Sequence, residues 1–171
     1  MIVEVLVNYL SAVPPRVATV ILAMIPVAEL RGALPVALVW YKLPLFEAVG
    51  LSLLGNILPV YPILVFLEYG AKFLRERSEV ADRFFNWLFE RTRRKLQANV
   101  DKYGVWALAL FVAVPLPVTG AWTGTVAAFI FGLSRPKAMM AIGAGLLMAA
   151  MIVALLTMTA SYTVREWLLP V

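Results

Sequence analysis

The sequence predicts an all-α integral membrane protein: two inverted repeats, each a re-entrant helical hairpin followed by a transmembrane helix, with an amphipathic cytoplasmic helical segment between them. Three observations carry this expectation. Of 171 residues, 63% are apolar or aromatic and only 15% are charged, with a mean hydropathy of +0.88; a soluble domain carries about 45–50% apolar and about 25% charged residues. Two stretches, Ala48 to Leu67 and Ala138 to Val164, hold no charge and match the roughly 20 residues that a spanning helix needs. Two further apolar stretches are interrupted by proline and glycine at corresponding places.

The chain reads as one membrane domain over 1–171. Residues 1–15 form a short apolar run with Glu4, no basic flank and an end at Pro14-Pro15, which fits an interfacial helix better than a cleaved signal peptide. Residues 17–41 form the first hairpin. Its apolar halves flank Pro26-Val27-Ala28-Glu29-Leu30-Arg31-Gly32-Ala33-Leu34-Pro35, where Pro26, Gly32 and Pro35 are the expected breakers and the backbone is expected to be irregular. Residues 44–68 form the first unbroken transmembrane helix, and 70–102 the basic amphipathic segment. Residues 103–134 form the second hairpin, broken at Pro115 and Pro117, and 137–164 the second transmembrane helix.

Each broken segment is followed by a basic residue near a proline, Lys42-Leu43-Pro44 in one copy and Arg135-Pro136 in the other, and then by an unbroken helix. Apolar arms of about 10–14 residues are short for a span and suit hairpins that enter and leave on one side. If both are re-entrant they enter from opposite faces, as in the inverted repeats of secondary transporters. Four ordinary spans with proline kinks are the simpler alternative.

Charge fixes the orientation of the middle. Lys72, Arg75, Arg77, Arg83, Arg91, Arg93, Arg94, Lys95 and Lys102 make the central segment cytoplasmic by the positive-inside rule. The rule does not separate the two topologies, which place the termini on opposite sides: outside for hairpins, inside for four spans. Phe84-Phe85-Asn86-Trp87-Leu88-Phe89 followed by Arg91, Arg93, Arg94 and Lys95 suits a helix on the membrane surface, anchoring the segment or contacting anionic lipid.

The absence of Cys and His excludes a disulfide framework, a thiolate nucleophile, an imidazole base and a Cys/His metal cluster. No metal site, cofactor, nucleic-acid partner or enzymatic activity is expected. Glu29 and Arg31 are the strongest chemical signal, because an ionisable residue at the bilayer centre costs at least about 2.5–3.5 kcal/mol. Positions two apart diverge on a regular helix, but irregular backbone lets both face one cavity. Arg31 matches phosphate or carboxylate, while Glu29 neutralises it or exchanges a proton. The structural alternative is an ion pair tying the hairpin tip to the other repeat.

At the second tip, Thr119, Gly120, Thr123 and Thr125 supply hydroxyls and helix-start amides. Thr119 is expected to cap the second half-helix, leaving an anion site; alternatively the threonines satisfy the broken backbone themselves. Trp122 reads as a lid or an interface residue. Asn56 is the one amide in the first full span, an interhelical hydrogen bond or a ligand contact. Gly143 and Gly145 suit close helix packing, and Glu47 and Glu68 reach the membrane interface.

The run Glu29-Leu30-Arg31-Gly32-Ala33-Leu34-Pro35, together with Pro115-Leu116-Pro117-Val118-Thr119-Gly120-Ala121-Trp122-Thr123-Gly124, resembles the prokaryotic family of small multi-drug export proteins, over about Ile25 to Thr157. That family is similar in architecture to the DedA and VTT membrane proteins, which carry paired re-entrant hairpins and include lipid scramblases and proton-dependent carriers of polyprenyl phosphate. The resemblance implies the hairpin topology. It also implies that a membrane-embedded acid and an arginine serve transport, and Glu29 and Arg31 match that pattern in kind. The second hairpin departs from it, with no charge between Lys102 and Arg135 where DedA proteins carry arginine.

The resulting expectation is a small transporter, homodimeric, in a prokaryotic cytoplasmic membrane. It moves an amphiphilic or anionic substrate, with protons as a potential coupling ion, through a cavity between two hairpin tips, among membrane lipid. The alternatives are a lipid scramblase or flippase, and a noncatalytic scaffold that binds a partner through the basic segment.

Overall fold

The computed structural model describes residue 10 and residues 12–96, 104–115 and 119–168, with the backbone alone described at 88, 89, 91–96 and 162–168. Pro117, residues 1–9 and 11 of the expected interfacial helix 1–15, and the side chains of Arg91, Arg93, Arg94 and Lys95 therefore lie outside the described residues. The helices are α1 (Pro15–Met24), α2 (Glu29–Pro35), α3 (Leu45–Ile57), α4 (Val60–Arg77), α5 (Glu79–Leu96), α6 (Val105–Ala113), α7 (Ala121–Ile130) and α8 (Arg135–Leu168). No strand occurs among the described residues.

The packing is that of a protein solvated by lipid. Small residues are inside, among them Ala18, Ala23, Ala33, Ala37, Ala48, Ala109, Ala121, Ala128 and Ala141. Although Leu22, Leu64 and Ile142 are buried, many large apolar side chains are outside, Phe46 at 90% exposure, Phe66 at 75%, Met140 at 70% and Leu155 at 67%. In water these would be driven inward, whereas in hydrocarbon the gain comes from close backbone approach between small residues. Two helical stretches, Leu45–Arg77 with 33 residues and Arg135–Ser161 with 27, are long and apolar enough to cross a membrane.

The chain divides into two compact units, Met1–Leu58 with Leu146–Val171, and Pro59–Gly145. In the first, Pro15 starts α1, where its missing N–H costs nothing. The helix ends at Ile25, which is extended (φ −76°, ψ 130°). A short turn follows, and the Glu29 amide donates to the Ile25 carbonyl at 2.9 Å. Here the structure corrects the expected irregular run over 26–35. The irregularity is confined to about 25–29, Gly32 lies inside α2, and Pro35 ends α2 without breaking the chain's helical course.

Pro35 instead changes the register. Its nitrogen has no hydrogen for the Arg31 carbonyl four residues back, and the following segment, Val36–Trp40, is π-helical. The Tyr41 amide donates to the Val36 carbonyl at 2.9 Å, an i to i+5 bond. Lys42, at φ 53°, then turns the chain toward Pro44 and α3. Leu22, Ala23 and Ala33 form a buried cluster against which Leu10, Val36 and Tyr41 pack.

The expected unbroken helix over 44–68 is divided at Leu58-Pro59, between α3 and α4. Pro59 cannot donate to Gly55, yet Leu58 (φ −53°, ψ −47°) and Pro59 (φ −74°, ψ −18°) keep helical angles, so the apolar course continues. α4 also runs past residue 70, where the basic segment was expected to begin. Nothing in 69–77 stops a helix; Ser78 does, with extended angles of φ −143° and ψ 117°.

In the second unit α5 folds back from Ser78. Arg75 fixes the corner: its Nε donates to Asp82 Oδ1 at 2.8 Å, its Nη2 donates to Asn86 Oδ1 at 2.8 Å, and Asn86 Nδ2 donates to Asp82 Oδ2 at 2.9 Å. On α5, Phe84 and Trp87 are each 53% exposed. α6 and α7 have 9 and 10 residues, about 14–15 Å at roughly 1.5 Å per residue. Neither alone crosses an apolar layer of about 30 Å.

Each unit seats its first short arm against a glycine. A Cβ at Gly55 would collide with the Val20 carbonyl oxygen and lie 2.8 Å from Ala23 Cβ. A Cβ at Gly145 would lie 2.5 Å from the Ala109 carbonyl oxygen and 2.7 Å from Val112 Cβ. In both cases the glycine faces positions i and i+3 of the arm, α1 in one unit and α6 in the other.

Candidate functional site

The polar groups of the first unit are set by its turn. Glu29 is the first residue of α2, only 8% exposed, and holds φ 48°. Left-handed backbone costs a residue with a Cβ about 1–2 kcal/mol. The reward is direction: a regular helix would point Glu29 and Arg31 apart, and the reversed φ changes where the chain sends the first of them. Arg31, partly buried, feels the Glu29 charge directly. At the start of the same unit Arg16 Nε donates to Glu47 Oε1, linking the beginnings of α1 and α3.

Asn56 is also in this unit, on α3, and is fully buried. Its expected interhelical hydrogen bond is absent: neither Oδ1 nor Nδ2 has a partner. Two residues were not anticipated. Ser52 is fully buried one turn before Asn56 with its Oγ unpartnered, and the buried hydroxyl of Tyr41 has no partner either. The Ser52-x-x-x-Asn56 spacing was the available signal, since residues four apart share a helix face.

The second unit treats its polar groups differently. Gly120, not Thr119, precedes α7, and its amide donates to Thr123 Oγ1 at 2.9 Å. This corrects the expected Thr119 cap. The Thr119 hydroxyl reaches back across the break and donates to the Val114 carbonyl at 2.7 Å. Thr125, fully buried, donates to the Ala121 carbonyl at 2.5 Å. Pro115 lies in the break between α6 and α7, as expected. Near the start of α8, Arg135 Nη2 and Nε donate to Glu68 Oε2 at 2.6 and 2.9 Å, so Glu68 is an ion-pair partner as well as a residue near a span end.

No group of three or more His, Cys, Asp or Glu residues placed to hold a metal occurs among the described residues. Buried alanines, exposed phenylalanines, two apolar stretches long enough to span and a charge pair within an apolar turn define a small all-α integral membrane protein. Residues 29–152 match a family provisionally described as small multi-drug export proteins, and the chain belongs to that family. The matched region opens at Glu29 and takes in both tip motifs. No curated protein and no solved structure matches the chain.

Proposed function

We propose that the protein exports a small amphiphilic or anionic compound across the membrane, with Glu29 and Arg31 as the groups that contact the substrate. The observation that carries the reading is the buried Glu29 in left-handed backbone, two residues before the partly buried Arg31, within apolar helices. Arg31 supplies planar donors for an anionic headgroup, and Glu29 holds that charge when no substrate is present, or takes up a proton. Asn56 adds a neutral contact in the same unit. The second tip, with Gly120, Thr119, Thr123 and Thr125, supplies shape and not substrate contacts, since its threonine hydroxyls are engaged by neighbouring backbone. The export description of the family supports the transport class, and transport needs neither a nucleophile nor a cofactor.

The proposed topology is two inverted repeats of re-entrant hairpin and spanning helix. The short arms and the equivalent glycine seats in each unit support it. α5 is then cytoplasmic and lies on the membrane surface, with Arg91, Arg93, Arg94 and Lys95 toward anionic lipid. A homodimer in a prokaryotic cytoplasmic membrane completes the proposal. A scramblase is the second reading. It is favoured by Met24 and Val27, 38% and 66% exposed beside the Glu29 turn, an apolar surface that suits a lipid tail.

Full-length protein in proteoliposomes tests both with ethidium, carboxyfluorescein and fluorescent phosphatidylglycerol. At least one probe should move, and Glu29→Gln and Arg31→Ala should each slow it at least about tenfold. Unchanged flux for every probe in both variants ends the proposal; lipid movement indifferent to any imposed gradient selects the scramblase. Single cysteines introduced near residues 12 and 161 and at Val27 and Thr119 report topology by labelling from each side. Termini inside with inaccessible tips would remove the hairpins.

A further inference from the structure

The Ser52 and Asn56 polar atoms make no hydrogen bond within the first unit, and their chemistry says what would satisfy them. Both are fully buried on α3, and their polar atoms lack partners. The buried residues of α3, Ala48, Ser52, Gly55 and Asn56, lie along one face, which meets α1 and α2. Gly55 marks the closest approach, with α1 at Val20 and Ala23. Proteins pair more than about 90% of buried polar groups, and an unpaired one costs about 1–3 kcal/mol. Two at i and i+4 on one apolar helix are therefore a sign of a guest and not of packing.

The kind of guest follows from which atoms are orphaned. A cation would satisfy Asn56 Oδ1 and leave Nδ2 bare; an anion would do the reverse. Both ends of the amide are unpartnered, and the Ser52 hydroxyl gives and accepts equally well. A group that both donates and accepts meets this set, and the smallest such group is a hydroxyl. We propose that Ser52 and Asn56 form a neutral subsite that binds a hydroxyl group within the apolar interior, supplied by water or by a hydroxylated amphiphile. The subsite deepens the export reading and, for its role in transport, rests on it.

The test reads the site without reading flux. Full-length protein labelled with 15N-asparagine in nanodiscs has four asparagines, Asn8, Asn56, Asn86 and Asn99; the Asn56 side-chain amide is the resonance lost in Asn56→Ala. Its protons should show a cross-peak to water, or to 2-naphthol when that probe is added, which distinguishes the two sources. 2-Methoxynaphthalene, which cannot donate, should shift the resonance at least about fivefold less, and Ser52→Ala should weaken the hydroxyl contact at least about fivefold. Absence of any water or naphthol contact overturns the subsite, as does an equal response to the methyl ether or an unchanged contact in Ser52→Ala. Glu29→Gln should retain the Asn56 contact while losing flux, so failure of the export reading appears in flux alone.

Discussion

The two broken helical segments, α1 with α2 and α6 with α7, treat their polar groups in opposite ways. In the second unit each described threonine hydroxyl of the tip is engaged by neighbouring backbone: Thr119 with Val114, Thr123 with Gly120, Thr125 with Ala121. Those residues repair a proline-broken backbone. In the first unit the turn buries a carboxylate in left-handed backbone beside an arginine, and α3 adds an unpartnered serine and asparagine. Backbone repair needs only local hydroxyls, whereas buried charge and unmet amide capacity need either a strong partner or a ligand. Under the proposed function the chemistry then falls to the segment around Glu29, and the segment around Thr119 serves as scaffold.

The widest gap is expected in flux. Glu29→Gln or Arg31→Ala should cost up to about a hundredfold, roughly 2.7 kcal/mol of barrier, while Thr123→Val and Thr125→Val should stay within about twofold. Equal losses in both hairpins would break the comparison. Next come the glycine seats. Gly55→Ala and Gly145→Ala should each lower stability by about 1–3 kcal/mol in thermal unfolding of the detergent-solubilised protein, because the new carbon meets a backbone carbonyl that cannot rotate away. Similar losses at both would sharpen the case for repeated architecture; a loss at one alone would weaken it.

Smaller effects separate repair from function within the second hairpin. Thr125→Val keeps the shape of the side chain and removes one bond to a carbonyl, so it should cost about 0.5–1.5 kcal/mol in unfolding. The smallest change should be a gain: Gly143 has open space where a Cβ would go, and Gly143→Ala should stabilise α8 by less than about 1 kcal/mol. A loss there would mean that residue 143 meets something the free chain does not contain.

Much of the layout was legible in the residues because proline and glycine act locally. Pro26 and Pro115 fall in the two turns, and the uncharged stretches became spanning-length helices. Gly32 and Pro35 misled because their effect depends on context: glycine is tolerated inside a packed helix, and proline can shift a hydrogen-bond register instead of ending it. Ser78 set the end of α4 although the charge pattern suggested an earlier boundary, since charge alone does not stop a helix. Ser52 was overlooked because a serine in an apolar run ordinarily bonds back to its own helix, as Thr19 does to Pro15.

The sequence by itself determined that this chain belongs in a membrane, that its helices are all it has to build with, and that Glu29 and Arg31 stand apart from the rest. Those follow from composition, span length and the cost of charge in lipid, which need no knowledge of neighbours. Tertiary structure decided which polar groups find a partner and which do not. Thr125 and Asn56 both read as polar residues that would serve either the fold or a ligand. Only the fold gives the first a carbonyl and leaves the second with none, because a partner is a matter of position in space and not of the residue's own chemistry.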